Sequence, residues 1–346
     1  MDFSKIFLKN ACPTSIGGQA VMDGIMMRGP QRTAVAVRLA DGRIHMRTKA
    51  NGAVKKWMKV PILRGMVSFF SSLVVGTETL MYSADVVEDG WPEEEQEEDK
   101  LETWMNSKFG EKGTWNILIY FSVIVSLIFS IGVFVILPTV AVNWLNGVIH
   151  SEIVLNLIEG FLRIAIFILY IALIGHMKDI KTVFQYHGAE HKTIHCFENG
   201  LELTPANAQQ FYTLHPRCGT SFLMFVCVIS LILFSLLGWP NLAVRITSRL
   251  LLIPIIAGLS YEVLKWAGRS DNWAVRILSM PGLWLQKLTT NEPDDSQLEV
   301  AIAAMKAVMV PEETEYFEGY CDLDGNLVEP HKIERKTKSE MAEESR

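Results

Sequence analysis

Positive charge is scarce in this chain. Its 346 residues carry 32 lysines and arginines against 38 aspartates and glutamates, a net charge of −6. No basic groove or RNA-binding motif accompanies that balance, so nucleic acid is not expected as a partner. Cysteine is scarce as well. Cys12, Cys196, Cys218, Cys227 and Cys321 are scattered and odd in number, which implies no disulfide framework. An apolar leader is missing: Met1–Gly18 holds Lys5 and Lys9 but no apolar run, so no signal peptide is expected. The glycine-rich run Ile16–Pro30 lacks both the Walker lysine and G-x-G-x-x-G spacing, which excludes the usual phosphate loops.

Charge is scarcest in four long apolar stretches. Trp115–Leu137 has 23 residues and no charge. Glu152–Gly175 is charged inside only at Glu159 and Arg163, and Thr220–Trp239 is uncharged. Asn241–Trp266 has Arg245 and Arg249 near its start. A run of about 20 apolar residues crosses a bilayer as a helix. The expected fold is therefore a mainly α membrane protein with about four transmembrane helices and a small N-terminal β-rich cytoplasmic unit.

Lysine and arginine in short loops set orientation. The first loop, about Pro138–Ser151, has neither, and nor does the Trp239–Asn241 turn. The second loop carries Lys178, Lys181, Lys192 and Arg217, and the segment after the fourth stretch carries Arg269, Arg276 and Lys287. Both termini are thus expected in the cytoplasm, with the chain multi-pass and membrane lipids around it. Arg245 and Arg249 are discordant, since they sit near the outer end of their span. Pairing with Glu159 or Glu262 inside the bundle is the expected resolution.

The rest of the chain divides around these spans. Residues 13–55 read as the β-rich unit, with an alternating strand at Thr33–Leu39 and a tight hairpin turn at Asp41-Gly42. Residues 60–85 read as an interfacial helix started by Pro61. Residues 86–112 hold an acidic run and read as a linker. The membrane domain covers 115–268, with a cytoplasmic loop at 176–219. Asn199-Gly200 is expected to close a helix in that loop, and Thr204-Pro205 to open another. Residues 281–310 form an amphipathic cytoplasmic segment, in which Asp294-Asp295-Ser296 caps a helix with Leu298, Ile302 and Met305 on one face. Residues 311–346 are a polar tail, within which Asp324-Gly325 suits a small hairpin.

Chemistry concentrates in Tyr186–Glu198. His187, His191 and His195 are four residues apart and share one helical face, with Glu190 and Glu198 on the same arc. His187-x-x-Glu190-His191 has the H-x-x-E-H order of the inverted zincins, where two histidines hold zinc and the glutamate activates water. Two histidines do not complete a site. His195, His215, Cys218 and Glu262 are the candidates for the third position. Cys218 and His215 have tight H-x-x-C spacing at a helix start, where a thiolate is favoured. His187 and His195 are about 12 Å apart along a straight helix, so they are not expected to share one ion. Tyr186 and Arg217 are candidates to orient substrate, and Asp23 or the backbone of the glycine-rich run Ile16–Pro30 to line the site. Two alternatives stay open. The histidines of an interfacial helix can simply hydrogen-bond to polar neighbours, and Cys218 can act as a nucleophile with His215 or His187 as base.

Four motifs, Gly17–Pro30, Tyr186–Lys192, His215–Phe222 and Glu292–Asp295, together resemble the YqhQ-like bacterial membrane family. That family has a domain of unknown function and is described as predicted metal-dependent enzymes. The resemblance runs from about Ser15 to Ala307, and Asp23 stands where glutamate is associated with the slot. It implies metal-dependent chemistry without naming a substrate. The function expected is a metal-dependent hydrolase at the cytoplasmic membrane face, with a divalent metal, zinc first, held by His187, His191 and one of His195, His215 or Cys218. Glu190 would be its base. A non-enzymatic assembly or metal-ion handling protein is the alternative. A transporter fits less well, because the first and third stretches hold only a few hydroxyl and amide groups.

Overall fold

The structure, a computed structural model, describes residues 6, 12–52, 60–89, 108, 111–267, 273–311 and 314–333. Four strands come first: β1 (Gly17–Val21), β2 (Gly24–Arg28), β3 (Arg32–Arg38) and β4 (Ile44–Ala50). They form an antiparallel meander. Gly42 turns the β3–β4 hairpin at φ 87°, a conformation glycine adopts without steric cost. The remaining helices are α1 (Leu63–Asp89), α2 (Glu111–Ile131), α3 (Leu137–Asn143), α4 (Glu152–Ile174), α5 (Lys178–Glu198), α6 (Pro205–Ala208), α7 (Thr220–Leu236), α8 (Leu242–Ala267), α9 (Trp273–Thr289) and α10 (Asp295–Met309). Two last strands, β5 (Glu318–Cys321) and β6 (Leu327–Pro330), extend the sheet beyond β4.

That extension corrects the expected polar tail. The Asp324-Gly325 hairpin forms, and β5 pairs antiparallel with β4 from Arg47↔Glu318 to Ile44↔Cys321. The β-rich unit is therefore built from both ends of the chain.

The sheet is covered on both faces, following the period-two alternation of strands. Met26, Val35 and Val37 meet Tyr82 and Val86 of α1 on one face. Ile25, Met27, Ala34 and Ala36 meet α5 and α10 on the other, through Tyr186, Ala189, Leu298, Ala301 and Met305. The alanines of α10 let its backbone lie close to the sheet. Asp294 caps α10 in a capping box with Gln297, at 2.9 Å to the Gln297 N–H. Asp294→Ala is expected to cost about 1 kcal/mol, read as a lowered midpoint of thermal unfolding. Helix α9 starts at Trp273 and continues through Pro281, so the expected 281–310 segment is the end of one helix plus a second.

Among the described residues, three helical segments are long and apolar enough to cross a membrane: Phe121–Gly147, Glu152–Ile174 and Leu242–Ala267. The expected third span, α7, has 17 residues. It is about 26 Å long, slightly short of a hydrocarbon core of about 30 Å. The first span also ends later than expected. Pro138 lies inside the helix rather than in a loop, directly after a π-helical turn at Gly132–Ile136. Proline has no N–H to give the carbonyl four residues back. That carbonyl, Phe134 O, accepts instead from Arg163 Nε at 2.9 Å. The loop to α4 shrinks to a few residues after Gly147.

Helix α1 reaches from the sheet to α8. A Cβ on Gly65 would lie 2.9 Å from the Gly258 Cα, the close backbone approach that small residues permit between helices. The acidic run beyond Asp89, to residue 107, lies outside the described residues, as do 334–346.

Candidate metal centre

Helix α5 and the His215–Gly219 segment meet where α7 begins. Gly188 makes the approach possible: a Cβ there would sit 2.1 Å from the Asn291 carbonyl oxygen. The 289–291 segment therefore runs directly against α5. Gln286 of α9 fixes the facing strand of chain, accepting from His215 N–H and donating to His215 O, both at 2.9 Å.

Three donor atoms converge there. His187, His191 and Cys218 each offer one ligand atom within 4.8 Å of the others. His187 Nδ1 bonds Thr289 O at 2.7 Å, and His191 Nδ1 bonds Thr213 O. A ring nitrogen facing a carbonyl must carry the proton, so each Nε2 keeps its lone pair. His187 Nε2 lies 3.2 Å from Cys218 Sγ. His191 Nε2 is buried without any protein partner. Metal-ligating histidines show this arrangement, one nitrogen held by a carbonyl and the other free. Cys218 Sγ also accepts from the Thr220 N–H at 3.4 Å, at the positive end of α7.

Burial alone would raise the Cys218 thiol, but the imidazoles of His191 and His187 hold it well below its ordinary value. Burial alone would lower the His187 imidazole, and the Cys218 thiolate instead raises it to about 9. Glu190 stands beside all three, and burial pushes its carboxyl above the usual carboxylate range against the pull of His191 and His187. Its Oε1 accepts from Gly18 N–H at 2.8 Å. A Cβ on Gly18 would lie 2.9 Å from the Glu190 Cδ, which explains why the glycine-rich strand meets the histidine helix at this point.

A second group, His195, Glu198 and His215, lies one helical turn on. The His191 and His215 ring centroids are 5.7 Å apart and those of His215 and His195 4.5 Å apart. This group is largely satisfied by protein, except that His195 Nδ1 is buried without a hydrogen-bond partner. His195 Nε2 donates to Leu214 O at 3.0 Å, and Glu198 accepts from Thr14 N–H at 2.9 Å and pairs with Arg217. His215 Nδ1 accepts from Arg217 N–H, so its Nε2 carries the proton towards Glu198 Oε2 at 3.4 Å. Burial and neighbouring His215 bring His195 down to about 3. Burial, with His191 and Arg217, likewise depresses His215. Both rings are neutral at pH 7. The donor set of the first group suits a divalent ion better: two imidazoles whose Nδ1 atoms are held by carbonyls face a lowered thiol, and an ion would displace only the proton that His187 shares with Cys218.

The other sequence candidates lie elsewhere. Glu262 is paired with Arg64 of α1 and accepts from Ile62 N–H at 3.2 Å, so it is no third ligand. Arg217 is spent on Glu198 rather than on an oxyanion. Tyr186 is buried in the core between sheet and helices. Asp23, at the β1–β2 turn, lines a crevice with Tyr186 and Arg38, away from the histidines. The glycine-rich run does reach the site through the Gly18 N–H, whereas Gln286 was not legible as a site residue, since its role depends on packing from a distant segment. Glu198 shares the histidine stripe, and its spacing alone pointed to it.

A family described as "Protein of unknown function (DUF1385)" matches residues 60–311. The chain belongs to this family. It is also 33% identical over 309 residues to "Uncharacterized protein YqhQ" of Bacillus subtilis (strain 168), covering 87% of this chain and 94% of that protein. No solved structure matches. The family match takes in α5, the His215–Cys218 segment and every candidate ligand, while β1–β4 lie before it.

Proposed function

We propose that the protein is a metal-dependent membrane enzyme, a hydrolase acting on a peptide or lipid-like substrate at the cytoplasmic face. The observation that carries this is the convergence of His187 Nε2, His191 Nε2 and Cys218 Sγ, with His191 Nε2 buried and unpartnered. Two imidazoles and a thiolate suit zinc, and three protein ligands leave a fourth position for substrate or water. A divalent ion held there would supply Lewis-acid chemistry. Glu190, its carboxyl raised by burial, is suited to take and return a proton beside it. Thr213 O and Thr289 O orient the two imidazoles. In the bilayer the chain has four spans, with α7 as the short one, and both termini in the cytoplasm. The lysines and arginines around α5 and after α8 support that orientation.

The test is elemental analysis of the full-length protein purified in detergent. About one equivalent of zinc or another divalent metal supports the proposal, and absence of metal after purification without chelator sinks it. Cobalt substitution then separates an enzyme from a metal-handling or assembly protein. A spectrum that changes on adding small anions reports an open position, and an unchanging one favours the non-enzymatic alternative.

A nucleophilic cysteine is the second possibility, favoured by the 3.2 Å Cys218–His187 contact and its lowered thiol. Iodoacetamide decides between them. With metal bound, Cys218 is expected to alkylate at least about tenfold faster after chelation. Equal rates with and without chelator favour the metal-free thiolate.

A further inference from the structure

The far end of the membrane helices carries a second polar cluster, unconnected to the histidines. Helix α7 starts two residues after Cys218, at Thr220, and ends at Leu236, so the turn Gly238–Asn241 lies a full helix length from the metal centre. Three guanidinium groups gather near that end, from Arg163, Arg245 and Arg249. Arg163 Nη2 reaches Glu159 Oε1 at 2.8 Å, and Arg249 pairs with the same oxygen. Arg249 also bonds Thr139 and Asn156. Arg245 has no carboxylate. Its Nη2 donates to Asn143 Oδ1 at 2.7 Å, and its guanidinium lies 3.7 Å over the Trp239 ring.

The donors outnumber their acceptors here. Arg245 Nε, Arg245 Nη1 and Trp239 Nε1 are all buried without a hydrogen-bond partner. Arg245 is 2% exposed. One orphaned acceptor, Glu159 Oε2, faces the same group of helices. Charge is unbalanced too: three arginines meet Glu159 and, at the rim beside Gly238, the exposed Glu152. Arginine on the outer side also runs against the usual distribution of basic residues. Arg245 lies in the first turn of α8, where the helix dipole adds further positive potential.

We infer that Arg245, Trp239 Nε1 and the α8 N-terminus form a site for an oxyanion of the phosphoryl class, at the membrane end opposite the histidines. The orphaned Arg245 Nε and Nη1 each offer a charged N–H, and the Trp239 indole N–H supplies a third donor. The Gly238–Asn241 turn, with Gly238 at φ 72°, joins α7 to α8 and carries Trp239. The phosphoryl group belongs either to a lipid headgroup or to a free phosphate. The site does not depend on the metal proposal.

The experiment is native mass spectrometry of full-length protein in mild detergent, titrated separately with phosphatidylglycerol and with inorganic phosphate. Wild type is expected to hold one equivalent. Arg245→Gln is expected to bind at least about tenfold more weakly, and Trp239→Phe, which keeps the stacked ring but loses the N–H, about threefold to tenfold more weakly. Arg43→Gln, on the exposed sheet turn, is the unaffected control. Retention of lipid against millimolar phosphate assigns the group to a headgroup, and displacement assigns it to a free anion. Binding by neither probe, or equal binding by wild type and both variants, overturns the inference. Thermal unfolding of Trp239→Phe close to wild type keeps that comparison free of misfolding.

Discussion

Under the proposed function, His191→Ala is expected to lower divalent-metal affinity by more than about a hundredfold. His191 is 1% exposed, and its Nε2 has no protein partner, so the protein itself offers nothing to replace the lost ligand. His187 and Cys218 alone would be left, a pair too few for a stable structural or catalytic site. The control is His195→Ala. His195 belongs to the neighbouring group, where Nε2 is already bonded to Leu214 O, so its loss is expected to leave metal content near one equivalent. Elemental analysis of both variants, each checked by thermal unfolding, reads the difference. Metal retained by His191→Ala but lost by His195→Ala would move the centre to the His195–Glu198–His215 group.

Gly188→Ala is expected to be strongly disruptive, costing about 3 kcal/mol. Its Cβ would enter to 2.1 Å from the Asn291 carbonyl oxygen and 3.2 Å from the Thr213 Cγ2. Neither contact can yield cheaply. Asn291 is backbone tied to α5 through its own N–H to Phe184 O at 2.9 Å, and Thr213 supplies the carbonyl that orients His191. The damage therefore reaches the site, and metal loading is expected to fall along with stability. Gly17→Ala is the matched control, since no heavy atom lies within 4 Å of its added carbon. Melting in detergent that left Gly188→Ala within about 0.5 kcal/mol of Gly17→Ala would falsify the close packing of α5 against 289–291.

Local signals in the sequence were readable where one segment determines its own conformation. Asp41-Gly42 turned the β3–β4 hairpin, Asp294 with Gln297 capped α10, and Gly200 closed α5 at φ 68°. Thr204 caps α6 through its side chain, with Pro205 following. The one-faced stripe of His187, His191 and His195 was equally plain, because helical spacing alone creates it. What the sequence hid depended on partners far along the chain. The turn of the β5–β6 hairpin was legible at Asp324-Gly325, but its pairing with β4 was not. Pro138 reads as a loop because its missing hydrogen bond is made good by Arg163, whose position comes from another helix. Glu262 stood as a candidate ligand or a partner of Arg245 and Arg249 until α1 brought Arg64 beside it. The choice among His195, His215 and Cys218 needed the fold of the 213–219 segment, pinned by Gln286, which no spacing rule encodes.

The mixed parentage of the sheet bears on the order of assembly during synthesis. Strands β1–β4 leave the ribosome first, yet β4 gains its neighbour β5 only after every apolar helix has been made. Helix α10, which covers one face of β2 and β3, arrives almost as late. Through that interval β4 is an open edge and half the sheet's apolar surface is bare, the condition in which strands recruit the wrong partner. A nascent chain stalled before residue 311 is therefore expected to bind chaperones or aggregate, and release of the last strands to end that exposure. The extreme C-terminal hairpin acts as the latch that closes the folded unit once the helices are in place.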